Sequence, residues 1–185
     1  MDGAVGQTSD PAALDRAQSQ CDQGNVADGL AAVDSVLAFE ETSGALVVRA
    51  LCRWVEFHST GDAEAGAVAE ADLTHALERA RTDGAESDAL ARIHSHRAAL
   101  RRALGDENWP STLADLNAAI DADTSQPLYV LDRAVARMRR GDSSAAVLDL
   151  DRYLQLDTVN TARGDLARQL REEMQPRQGL IESAE

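Results

Sequence analysis

Residues 115–124, DLNAAIDADT, align without a gap on residues 149–158, DLDRYLQLDT, at an offset of 34 residues. A third copy, DLTHALERAR, begins at Asp72, and a weaker one, AVDSVLAFEE, begins at Ala32. Self-similarity at a fixed period marks a chain built by stacking small supersecondary units, none of which can bury its apolar face alone. Within each copy the apolar residues recur at helical spacing, so the repeated piece is a helix.

A second mark recurs upstream of each copy. Arg-Ala stands at Arg16-Ala17, Arg49-Ala50, Arg97-Ala98 and Arg133-Ala134, each time before a Gly-Asn, Gly-Asp or Thr-Gly-Asp type of break. The chain therefore divides into four helix pairs: 11–23 with 26–40, 44–58 with 63–82, 87–104 with 110–122, and 126–140 with 143–156. Asp142 is a candidate N-cap for the last of these helices. A ninth stretch, 161–174, places Leu166, Leu170 and Met174 four residues apart and is expected to cover the open apolar end of the stack. Residues 1–9 and 175–185 have no apolar period and read as flexible tails around one helical repeat domain, 10–174.

Paired helices approach closely only where no large side chain intervenes, which gives Ala17, Ala50, Ala98, Ala134 and Ala146 their role. Arg49, Arg97 and Arg133 each have an acid in the following helix: Asp72, Asp115 and Asp149. These are read as ion pairs within a repeat rather than as a basic stripe. The first pair departs, because Ala32 stands where the acid should be.

The pattern resembles bacterial tetratricopeptide repeats, with residues 132–157, DRAVARMRRGDSSAAVLDLDRYLQLD, the nearest in form. The Pro that usually closes that repeat is missing from all four copies; Thr124 and Thr158 occupy its place in the last two. The resemblance implies an all-α, right-handed superhelix of about four helix hairpins plus a C-terminal capping helix. It also implies a concave groove lined by the first helix of each pair, where a protein or peptide segment lies. Carried onto this chain, the groove positions are Leu14 and Gln18, then Val47, Leu51 and Trp54, then Arg92, Ser95 and Arg102, then Leu131, Val135, Met138 and Arg139. Trp54 beside Arg102 and Arg139 would suit a peptide with an apolar anchor and an acidic group. An alternative reading makes Trp54, Leu131, Val135 and Met138 core. The family's carboxylate clamp uses Lys, and this chain has none.

Composition narrows the partners. All 18 basic residues are Arg against 32 acids, and the net charge is −14, which repels phosphate backbones and anionic lipid. A GC-rich genome or a salt-loving host would each give this bias. Aromatic residues make up 3% of the chain, so the 44% hydrophobic fraction rests on Ala, Leu and Val, of which Ala and Leu favour helix. No run approaches a membrane span and no export signal opens the sequence, so the expected location is cytoplasmic, or periplasmic or exported if a signal has been removed.

No chemistry is legible. His58, His75, His94 and His96 include no pair four residues apart, and His94 and His96 point to different faces of one helix, so no metal is expected. Cys21 and Cys52 have neither metal nor redox spacing and read as two packed thiols. No phosphate loop, nucleophile elbow or metalloprotease motif is present. The expectation is a non-enzymatic scaffold without cofactors that binds another protein or peptide, or else a structural subunit that associates with its own copies.

Overall fold

The structure, a computed structural model, describes residues 11–105, 109–157 and 162–174. Among them lie nine helices in the predicted order. They are α1 (Pro11–Asp22), α2 (Val26–Phe39), α3 (Ser43–Thr60), α4 (Ala63–Thr82), α5 (Ser87–Leu104), α6 (Trp109–Ala122), α7 (Pro127–Arg139), α8 (Ser143–Leu156) and α9 (Ala162–Met174). Each packs on the next, and the eight helices before α9 form four hairpins in a superhelical stack. The two tails, most of the 105–108 turn and Thr158 lie outside the described residues.

Local chemistry sets the helix ends. The carboxylate of Asp142 accepts from the backbone N–H of Ala145 at 3.2 Å, as its position before α8 predicts, and Asp62 does the same for Glu64 at 2.9 Å. The first and last hairpins turn at Gly24 and Gly141, whose φ values of +88° and +77° lie in the left-handed region that glycine enters without steric cost.

Small residues let the paired helices close. Ala17, Ala50, Ala98 and Ala134 are at most 1% exposed, and in the second helices Gly29, Ala69, Thr112 and Ala146 are buried at matching positions. The apolar core runs along the stack as linked clusters. One centres on Ala17, Val33 and Val48, one on Leu46, Leu73, Leu77 and Leu100, and one on Val130, Leu150 and Tyr153.

Three hairpins are also clamped by charge. Arg49 grips Asp72 with Nε (2.8 Å) and one terminal nitrogen (2.6 Å), Arg97 grips Asp115 (2.9 and 2.7 Å), and Arg133 grips Asp149 (3.0 and 2.7 Å). Such planar, two-point pairing is what guanidinium offers and ammonium does not. The remaining nitrogen of each Arg reaches back into the preceding hairpin. Arg49 meets Asp34, Arg97 meets the hydroxyl of Thr74, and Arg133 meets the amide oxygen of Asn117. One side chain thus ties its own hairpin shut and fixes it to its neighbour.

The last two clamps recruit more partners. Arg101 and Arg137, one turn beyond the first arginine, add contacts to Asp115 (2.8 Å) and Asp149 (2.7 Å). His94 adds a third partner for Asp115 at 2.7 Å through Nδ1. Arg81 lies 3.3 Å from His94 Nε2 and can only donate, so Nε2 accepts and Nδ1 carries the proton given to Asp115. Burial by itself would raise the pKa of Asp115. The hydrogen bonds from His94 and Arg97 and the charges of Arg97 and Arg101 outweigh it and hold the carboxyl below its ordinary value.

Two expectations need correction. Cys21 and Cys52 are not packed thiols: they form a disulfide joining α1 to α3, with Cα atoms 5.2 Å apart and a separation of 31 positions in sequence. Spacing along the chain did not suggest it because the bond crosses between first helices of successive hairpins, where rotation of each helix decides which side chains meet. In α9 the buried residues are Gly164 and Ala167, with Leu170 and Met174 packed on the core, while Leu166 is 50% exposed. The capping helix thus covers the end of the stack with Leu170 and Met174 as expected, while Leu166 turns outward and the smallest residues, Gly164 and Ala167, take the close contact.

Candidate functional site

α1 lies directly against α3, but α3 and α5 make no extended contact. The gap is an open cleft of about 740 Å³, lined by Gln18 and Asp22 of α1, by Leu51, Trp54, Val55, His58 and Ser59 of α3, and by His96 of α5. All three helices are first members of their hairpins. A smaller cavity of about 150 Å³ continues from His96 between Ser43, Gly44 and Val47 of α3 and Ala89, Arg92 and Ile93 of α5.

Leu51, Trp54 and Val55 recur at helical spacing and give the cleft an apolar wall. Trp54 serves both readings made of it, since it packs on the core beside Leu46 and Leu73 and also faces the cleft. The His58 ring stands 5.8 Å from that of Trp54 and 5.5 Å from that of Phe57, extending the aromatic edge towards the solvent. His96 has a lowered pKa, first from burial and then from the nearby positive charge of Arg92, so it faces the cleft as a neutral ring at neutral pH. Asp22 is the one acidic side chain among the lining residues.

The other groove positions are dispersed. Val47 and Arg92 line the smaller cavity, and Arg92 pairs with Asp88 at 2.7 Å. The guanidinium of Arg102 donates to the carbonyl oxygen of Asp132 at 3.1 Å and to its carboxylate at 3.3 Å, bridging α5 to α7. Arg139 is exposed, Leu131 packs on the C-terminal core, and Ser95, Val135 and Met138 are half-buried. Neither Arg102 nor Arg139 lines the cleft with Trp54. Sequence reading missed Asp22, Val55, His58, Ser59 and His96. The signal was available for Val55 and His58, which follow Leu51 and Trp54 by one helical turn.

His94 and His96 do point to different faces, one to the Asp115 clamp and one to the cleft. Among the described residues no group of three or more His, Cys, Asp or Glu is placed to hold a metal ion, and no helix is long and apolar enough to cross a membrane.

No family model matches the sequence, and no curated protein matches it. Among solved structures it is similar to a chain of the "APC/C hetero-tetramer Cut9-Hcn1", with a TM-score of 0.71 at 15% identity. The match covers 89% of this chain and 29% of that one, so this chain spans less than a third of its length. The likeness establishes the tetratricopeptide-like helical-hairpin superhelix for nearly the whole chain.

Proposed function

We propose that the protein is a non-enzymatic scaffold that holds a segment of another protein in the cleft between α1, α3 and α5. The observation that carries this reading is the apolar wall of Leu51, Trp54 and Val55, left open to solvent between the first helices of three hairpins. An exposed apolar concavity with few polar groups is the common form of a recognition site, and a buried aromatic anchor the common centre of its affinity. The superhelical likeness supports it, since stacks of this kind offer their curved inner surface to other chains. A cleft of about 740 Å³ takes several side chains of a peptide rather than a single atom or ion.

Within this reading Val47 and Arg92 extend the site beyond His96, and Arg139 offers an unburied cation further along the first helices. A photo-crosslinking residue in place of His58 tests it. Crosslinks to a discrete partner in native extract should form, and they should be lost when Trp54→Ala is added while far-ultraviolet circular dichroism stays unchanged. Crosslinks that survive Trp54→Ala would show that the cleft is not where the partner lies.

A further inference from the structure

The first hairpin lacks the device that closes the other three. Arg49, Arg97 and Arg133 grip buried carboxylates, but Ala32 stands at the matching place in α2. Among the residues of α1 whose burial is described, 12–22, Ala17 and Cys21 are the fully buried ones, with Leu14 packed beside them. A helix this short and polar has little tendency to persist unless something ties it down. Yet α1 supplies Gln18 and Asp22, the one wall of the cleft that α3 and α5 do not provide. The tie is the Cys21–Cys52 bond. Its two cysteines lie next to the lining residues Asp22 and Leu51, so the covalent link sits directly behind the cleft.

α2 is shaped around the same bond. A Cβ on Gly29 would overlap Cys21 Sγ and come within 2.8 Å of the carbonyl oxygen of Ala17. The place that Ala146 fills in the last hairpin is thus left empty of side chain, and the sulfur occupies it.

We infer that the Cys21–Cys52 bond completes the cleft: in the disulfide form α1 is locked on α3 as its wall, and in the dithiol form α1 leaves and the cleft is open on that side. The inference rests on the cleft being the binding site, and it makes that site dependent on oxidation. The redox step balances with a dithiol reductant. One of its thiolates attacks a sulfur of the bond and expels the other as a thiolate, and its second thiol then resolves the mixed disulfide. Two electrons and two protons pass to Cys21 and Cys52, and the reductant leaves as its own disulfide. Both sulfurs belong to residues at most 1% exposed, so exchange must wait for α1 to lift, and the bond resists reductants in the folded chain. The complete site then belongs to an oxidising environment.

The sequence supplies the probe. Arg16 in α1 is the one basic residue before Arg49, so trypsin reports on α1 by releasing residues 1–16, which the disulfide does not retain. The full chain would be compared in its disulfide form and in a dithiol form prepared by reduction in mild denaturant and returned to buffer without air. The dithiol form should be cut after Arg16 about tenfold faster, with cleavage after Arg133 and Arg137 unchanged. In a Trp109→Phe background, quenching of Trp54 fluorescence by acrylamide should rise as the wall departs. The Cys21→Ser/Cys52→Ser chain should match the dithiol form without reductant.

Equal cleavage after Arg16 in both forms would overturn the inference, because α1 would stay docked without the bond. Parallel acceleration at all sites would also overturn it, since the bond would then hold the whole fold. Faster cleavage with unaltered Trp54 quenching would refute the link to the cleft. No partner is present in these measurements, so failure of the crosslinking experiment leaves their outcome distinct.

Discussion

The first and last hairpins are built in one register and closed by opposite means. Arg16, Ala17, Gly24, Gly29 and Ala32 stand where Arg133, Ala134, Gly141, Ala146 and Asp149 stand. In the last hairpin Asp149 is buried and gripped by two arginines. In the first the acid is Ala32, and a covalent bond runs from α1 to the next hairpin. Between them the clamp on the second helix grows along the chain: Ala32 stands in place of the acid in the first hairpin, one arginine holds Asp72 in the second, and two hold Asp115 and Asp149. The lesson concerns ends. An interior hairpin is held between two others, whereas among the described residues α1 packs on α2 and α3. A chain-entropy estimate gives a cross-link over 31 residues about 3–4 kcal/mol, comparable with what a buried ion-pair network loses when one partner is removed.

The largest effect should come from breaking the heaviest clamp. Asp115→Ala leaves Arg97, Arg101 and His94 without their shared carboxylate and should cost about 3–5 kcal/mol in urea unfolding. Asp72→Ala strands Arg49, which is more exposed and also reaches Asp34, and should cost less, about 2 kcal/mol. Equal losses would mean that the number of arginines on the acid does not set the strength of the clamp.

A smaller effect should follow from acid. The pKa of Asp115 is depressed in the folded chain, so the unfolded chain takes up its proton first as pH falls. The stabilisation is complete above the unfolded value of about 3.9 and is lost as pH drops through the lower folded value. The first hairpin has no such carboxylate. Hydrogen exchange followed down this range should show α5 and α6 losing protection before α1 and α2 in the disulfide form. The reverse order would separate the clamp from acid stability.

How much of this was legible depended on whether a contact repeats. The Arg-to-Asp pairings could be read because the same two residue types recur in register three times, and a hairpin brings its two helices together in a fixed way. The disulfide could not, since it occurs once and joins helices of different hairpins. A sharper reading was available: Arg16 and Arg49 are 33 residues apart and Cys21 and Cys52 are 31 apart, so the cysteines sit at nearly equivalent positions of adjacent first helices. The role of His94 was hidden by the question put to it. Tested for metal spacing it fails, but it precedes Arg97 by three residues, which places both on the helix face towards Asp115. The cleft was half legible. Leu51 and Trp54 follow from helical position, but the separation of α3 from α5 depends on tertiary packing, which no local pattern records.

The finest test of the comparison is to give the first hairpin the clamp it lacks. Ala32→Asp places a carboxylate 16 residues after Arg16, the separation of Arg133 from Asp149. The new acid costs some helix propensity at a half-buried site, about 0.5 kcal/mol, against roughly 1 kcal/mol or more from a two-point arginine pair. In the disulfide form little should change, because α1 is already held. In the dithiol form the substitution should slow tryptic cleavage after Arg16 about two- to threefold, as a net gain of about 0.5 kcal/mol requires. Faster cleavage would show that Gly29 and the sulfurs have drawn α1 and α2 into a packing where Arg16 no longer faces position 32. The first hairpin would then share the register of the last in sequence but not in space.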